Sequence, residues 1–479
     1  MSFRNRFTGK KTLLALSMSG LAAGILPVHA QVQPQASSPS AKLTEVEVAA
    51  KGKEAVARTA SPYDGKLLGE AAQKGLFFRS TFLVEIASNP VGGLKHGTTS
   101  TQYLTLGMDA DLDKLVGWNG AFLHATIIAL NGDPLNLKYT GAGISHQEAN
   151  APFSVVRFTN LTLEQKLSLF NKNDLNIVVG RSGAFPLFAK SSYACTFQSH
   201  FFCGSMYGFS QMSGTPLTPV ASWGGRVRYN FSPKTYVQLG GFKIDSKTGL
   251  ASTHLFDFGR QGITGTNYML EAGYETTFAN DPMPRTLRLG AWYNSAPRND
   301  VLLNTAGLPY YAARGTRATH TGETGGYYLA DKVVARDGPG SPRNLALFSS
   351  GVYTTADSEP LKYALRIGAV KTGTFKGRDN DKFGFAAGTL SLSDKSVDNL
   401  TGLRRLAGGT ERVEKHQYVF EATYTYQIAP GVALKPNLQY YVNPDPRNAT
   451  TSPRKIPNIG IVGLGLNVSL DTILGLPKL

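Results

Sequence analysis

Residues 418–428 read YVFEATYTYQI. In an extended chain successive side chains point to opposite faces. Tyr418, Phe420, Ala422, Tyr424, Tyr426 and Ile428 therefore share one face, and Val419, Glu421, Thr423, Thr425 and Gln427 the other. An apolar face that is aromatic at both ends, backed by a polar face, suits a wall between lipid and water. Residues 286–294, TLRLGAWYN, repeat the pattern, with Leu287, Leu289, Ala291 and Tyr293 opposite Arg288, Gly290, Trp292 and Asn294. A soluble sandwich carries the same periodicity with its faces reversed, so alternation alone leaves both architectures open.

About sixteen such segments recur, from LFFRSTFLVEIA at 76–87 to NIGIVGLGLNVSL at 458–470, each near the nine to eleven residues that cross a bilayer when tilted. Their connections alternate in length. SPKT, ANDPMPR and APG are short, whereas 131–155, 184–221, 296–324 and 394–414 are long. If the first strand rises from the periplasm, every short turn falls on the periplasmic side, and an even strand count returns the C-terminus there. The 479-residue chain has 52 glycines and 10% aromatic residues, which fits many strands and turns. It shows no long helical periodicity and no internal apolar run of the roughly eighteen residues that a spanning helix needs.

Residues 102–111, QYLTLGMDAD, then read as a descending strand. Leu104, Leu106 and Met108 are expected to face lipid, Thr105 and Gly107 the lumen, and the aspartates to emerge where lipid ends. LDKLVGW forms the periplasmic turn, with Trp118 as an interfacial anchor.

The N-terminus directs the chain to export. Arg4, Arg6, Lys10 and Lys11 precede the apolar stretch TLLALSMSGLAAGILPV, and Val28-His29-Ala30 resembles a small-residue cleavage site. Residues 1–30 are expected to be a signal peptide; its removal takes four basic residues and no acid, lowering the net charge from +16 to +12. Residues 31–64 are polar and aperiodic, a flexible periplasmic leader, followed by a barrel over 65–470 and a C-terminal extension over 471–479. Signal peptide, strand count and loop asymmetry together point to an all-β fold, a transmembrane antiparallel β-barrel of about 16 strands in a Gram-negative outer membrane. Outer-membrane lipid and the barrel-assembly machinery are its expected partners, and nucleic acid is not.

Cys195 and Cys203 have seven residues between them in YACTFQSHFFCGS. In an oxidising compartment such a pair is expected to be a local disulfide. Metal binding would need more ligands than His200 alone supplies. The surrounding segment 184–221 is rich in rings, with Phe185, Phe188, Tyr193, Phe197, Phe201, Phe202, Tyr207 and Phe209. A loop so apolar is expected to fold against the barrel mouth or lumen and narrow the pore.

Several segments resemble the OprB-type carbohydrate-selective porins of Gram-negative outer membranes: 89–125 (NPVGGLKHGTTSTQYLTLGMDADLDKLVGWNGAFLHA), 293–309, 325–336, 377–394 and 420–446. The resemblance implies a sixteen-stranded barrel, passive diffusion of monosaccharides such as glucose, and an eyelet narrowed by inward loops. Two departures stand out. Nine residues, DTILGLPKL, follow the last strand where such porins usually end on an aromatic residue, and the cysteine-bearing loop differs from the family pattern.

Strand parity points Arg226, Arg228, Arg288 and Arg366 inward, with Glu164, Glu271, Glu275, Glu421, Lys435, Asn437 and Gln439. An Arg or Lys facing lipid at the midplane would cost about 2–4 kcal/mol, which favours this assignment. Arginine forks opposite carboxylates offer fixed donors and acceptors to neutral polyols. They are the expected channel lining, with an arginine-containing constriction. A net basic lumen also draws anions, so a pore for anions or sugar acids is the alternative transport reading. No HExxH, GxSxG, CxxC or phosphate-loop motif is present, and neither a cofactor nor a metal is expected. An outer-membrane enzyme or an adhesin remains the alternative from another class.

Overall fold

The computed structural model describes residues 66–150, 153–171, 174–185, 187–259 and 262–476; the expected signal segment and the leader lie outside them. A short helix, Lys66–Gln73, precedes the first strand. The strands are β1 Leu76–Val91, β2 Thr98–Asp111, β3 Ala121–Gly132, β4 Val155–Leu167, β5 Leu175–Ser182 and β6 Ser222–Asn230. They continue as β7 Thr235–Asp245, β8 Ile263–Glu275, β9 Arg285–Asn294, β10 Arg298–Asn304, β11 Arg317–His320 and β12 Glu323–Arg336. The last are β13 Asn344–Thr354, β14 Leu361–Thr372, β15 Lys382–Leu392, β16 His416–Ala429, β17 Val432–Val442 and β18 Ile459–Ser469.

Sixteen of these close an antiparallel barrel, with β1 hydrogen-bonded to both β2 and β18. Strands β10 and β11 form a separate hairpin inside the connection from β9 to β12, which pair directly. Closure leaves no edge strand with unpaired backbone groups, the condition for crossing hydrocarbon with strands.

Facing follows the alternation. Leu287 and Leu289 are about half exposed on the outer surface while Arg288 between them is buried; Phe420 and Glu421 divide in the same way. Exposed rings gather at both rims: Trp223, Tyr268, Tyr293, Tyr353, Tyr418 and Tyr440 at the long-loop ends, and Trp118, Phe170, Phe231, Phe278 and Phe375 at the short-turn ends. Such paired girdles mark the two membrane interfaces. Unheated protein is therefore expected to run anomalously on detergent gels and to shift on boiling. Identical migration before and after boiling would count against a closed barrel.

One expectation for 102–111 is corrected. Asp109 does not emerge into water but points into the lumen, where Arg79 donates to both carboxylate oxygens at 2.6 and 2.8 Å and His124 Nδ1 lies 2.7 Å away. It shares parity with Gly107, so alternation carries it inward, and the Arg79 charge offsets its burial. Asp111 ends the strand, accepting from the Asp113 N–H to cap the helix Leu112–Val116, which Gly117 ends at φ 75°.

Candidate functional site in the lumen

The connection 183–221, between β5 and β6, folds into the barrel. Its rings supply the drive: Phe188, Phe197, Phe201, Phe202 and Phe209 are all buried. They pack on rings of the wall, with Phe188 6.1 Å from Phe242, Phe197 5.7 Å from Phe348, and Phe209 5.1 Å from both Trp292 and Tyr327. Removing such a side chain from water is worth about 1.5–3 kcal/mol each. Two inward glycines make the seats. A Cβ at Gly240 would stand 2.7 Å from Phe188, and one at Gly388 would overlap the Phe201 ring.

Charged groups of the wall then hold the backbone of this pore loop. Glu421 accepts from the N–H groups of Gln198 and Ser199 at 2.7 and 2.9 Å. Glu271 accepts from the Ala189 N–H at 2.8 Å and from Tyr236, Gln238 and Tyr327. Arg366 donates to the Phe202 carbonyl at 2.7 Å, and Arg288 to that of Lys190. Asn437 Nδ2 donates to Gln198 Oε1 at 2.8 Å. A second connection, 133–154, also turns inward: Gln439 donates to the His146 carbonyl, and Glu85 accepts from the Ala149 N–H at 2.9 Å.

All eleven charged and polar residues assigned inward by parity lie on the lumen side, but they do not form one open lining. Glu271, Arg288, Arg366, Glu421, Asn437 and Gln439 are engaged in holding loops. Glu164, Arg226, Arg228 and Glu275 belong to a ladder across neighbouring strands. Glu164 meets His124 at 2.9 Å, Arg226 donates to Asn176 and Gln238, Arg228 lies 3.6 Å above the Tyr236 ring, and Glu275 accepts from Arg288 at 2.9 Å.

Lys435 lines an open space. Two cavities flank the pore loop. The one towards the long loops, about 380 Å³, is lined by Tyr103, Glu148, Asn150, Lys190, Cys195 and His200 among others. The one towards the short turns, about 420 Å³, includes Cys195, Lys382, Thr425, Lys435 and Asn467. Cys195 belongs to both. Parity could not find Glu148, Lys190 or His200, because loops have no strand alternation; only the ring content of 184–221 signalled that this segment turns inward.

The disulfide expected here is not formed. Cys195 and Cys203 are free thiols with their sulfurs within 4.8 Å, beyond the roughly 2.05 Å of a bond. Cys195 Sγ instead accepts from the Gly204 N–H at 3.0 Å. Burial acts to raise the pKa of Glu148, but its contacts with His200 and Cys203 outweigh it and hold the carboxyl below its ordinary value. Above the loop, Arg447 donates to Tyr207 Oη at 3.0 Å and Gln211 Oε1 at 2.9 Å. Burial opposes its charge, yet the Asp445 carboxylate 2.5 Å away pushes its pKa further up.

A closed sixteen-stranded barrel with an inward loop and polar cavities on both its sides is the architecture of a diffusion pore. The sequence profile of the carbohydrate-selective porins, OprB family, matches residues 95–470. The chain belongs to that family. As an OprB-family porin it is a multi-pass protein of the Gram-negative outer membrane. Porin B of Pseudomonas aeruginosa is 26% identical over 389 residues, which cover 78% of this chain and 84% of that protein. The high-pH structure of Pseudomonas putida OprB superposes with a TM-score of 0.76 at 24% identity, covering 84% of this chain and 96% of the other. The low-pH structure of that porin gives 0.50 at 19% identity, over 84% and 94%. The porin likeness accounts for the barrel.

Proposed function

We propose that neutral monosaccharides such as glucose cross this porin passively, moving from the outer cavity past the pore loop at Cys195 into the inner one. The loop, anchored by Arg288 and Arg366, forms the constriction. The observation that carries this reading is that Cys195 lines both cavities, which makes it their common wall. Sugars are polyols with apolar CH faces, so a site that favours them combines fixed donors and acceptors with rings. The outer cavity has both, in Asn150, Ser191, Lys190 and His200 beside Tyr103 and Phe185.

One observation favours a second reading. Among the described residues the inner cavity is lined by Lys382 and Lys435 and by no carboxylate, so its field attracts anions, sugar acids included. Liposome swelling with glucose, a disaccharide and gluconate tests both. Glucose is expected to enter well ahead of the disaccharide. Equal rates for the two would remove the constriction, and gluconate far ahead of glucose would make the pore one for sugar acids.

The exported chain is proposed to begin at Gln31, after loss of residues 1–30, with 31–64 as its leader and 471–479 as a tail beyond the barrel. N-terminal sequencing of the protein from outer membranes is expected to read QVQPQ. A chain that starts at Met1 would rule out cleavage.

A further inference from the structure

We propose that Glu148, Cys195 and Cys203 bind one thiophilic divalent cation of the Zn²⁺ class between the two cavities, with His200 as the fourth donor. One carboxylate oxygen and the two sulfurs all lie within 4.8 Å of one another. In a tetrahedral zinc site, bonds of about 2.3 Å to sulfur and 2.0 Å to oxygen set the donors roughly 3.5–3.8 Å apart. His200 Nδ1 stands 3.5 Å from Glu148 Oε2, and both atoms are buried without a hydrogen-bond partner. A buried oxygen and nitrogen that face each other without a hydrogen bond, beside two thiols, are the donors that a metal ion uses.

The spacing of the cysteines did not suggest this site, since His200 alone was too little. The missing ligand arrives from the other inward connection, 133–154, which tertiary folding lays against the pore loop. Lys435 contributes the positive charge felt by both thiols and by Glu148. It disfavours hard cations such as Ca²⁺, which rely on charge, and leaves soft ions that bond to thiolate sulfur. Cys195 lines both cavities, so an ion held there would stand in the path between them. That block rests on the permeation path proposed above; binding itself does not.

The test uses the full-length protein with Zn²⁺ alone as the probe. Thiols are first alkylated in intact cells, before extraction, and two modifiable or metal-protected cysteines per chain are expected. A bridged pair at this step overturns the proposal. Chelator-washed protein is then titrated with Zn²⁺. One ion per chain is expected, with affinity reduced about tenfold or more in Glu148→Gln and lost in the Cys195→Ser/Cys203→Ser double variant. Zn²⁺ uptake equal to the parent's in the double variant, or in Glu148→Gln should the double variant not assemble, overturns the site. Glucose swelling with and without Zn²⁺ reads the block separately. A parent that takes up glucose poorly even without metal refutes the sugar reading, while the zinc stoichiometry still decides the site.

Discussion

Replacing Glu421 and Arg366 together by alanine is expected to give a barrel that assembles yet conducts several-fold more current than the parent and no longer excludes disaccharides. Glu421 holds two consecutive N–H groups of the pore loop, and Arg366 holds the Phe202 carbonyl. Hydrogen bonds to charged groups contribute about 1.5–3 kcal/mol each, so the pair removes most of the polar anchoring on one side of the loop. One acid and one base leave together, so the formal lumen charge is unchanged and a larger current reports geometry instead of field. The two sites lie on β16 and β14, whose outward faces and ladders are untouched, so the gel shift on boiling should persist. Single-channel recording with a series of sugar sizes decides it. Unchanged conductance and cutoff in an assembled barrel would mean that the pore loop is not the constriction. The buried rings then offer a second route to the same result: Gly388→Ala, which denies Phe201 its seat, should enlarge the channel without altering any charge.

Reversing one lysine in each cavity, with Lys190→Glu and Lys382→Glu, is expected to convert anion preference into cation preference and to slow gluconate entry about tenfold while changing glucose entry less than twofold. Both side chains are exposed to the cavities. Enclosed low-dielectric walls focus the field, which is why two surface charges move an anion so much and a neutral sugar so little. Reversal potentials and swelling rates measured on the same preparation separate the cases. Should glucose fall in step with gluconate, the lysines bind hydroxyl groups directly and the division into field and sugar contacts is wrong.

The barrel was legible in the sequence because its determinants are local. A strand alternates by two whatever surrounds it, so Tyr418, Phe420 and Leu289 could be assigned outward and Glu421 and Arg288 inward from a few neighbouring residues, and the lengths of the connections told the two rims apart. What lay beyond reach was which distant groups the inward side chains would meet. Glu421 was recognised as a lumen residue, but its partner Ser199 lies 222 positions away, and no periodicity links them. The same holds for Glu148 beside Cys195 and Cys203, and for Arg366 beneath Phe202. Alternation therefore determined the wall and its two faces. Only the tertiary structure decided that loop backbone enters the lumen and engages Glu271, Arg288, Arg366 and Glu421 there, because a buried carboxylate or guanidinium takes whichever hydrogen-bonding groups the folded chain brings to it.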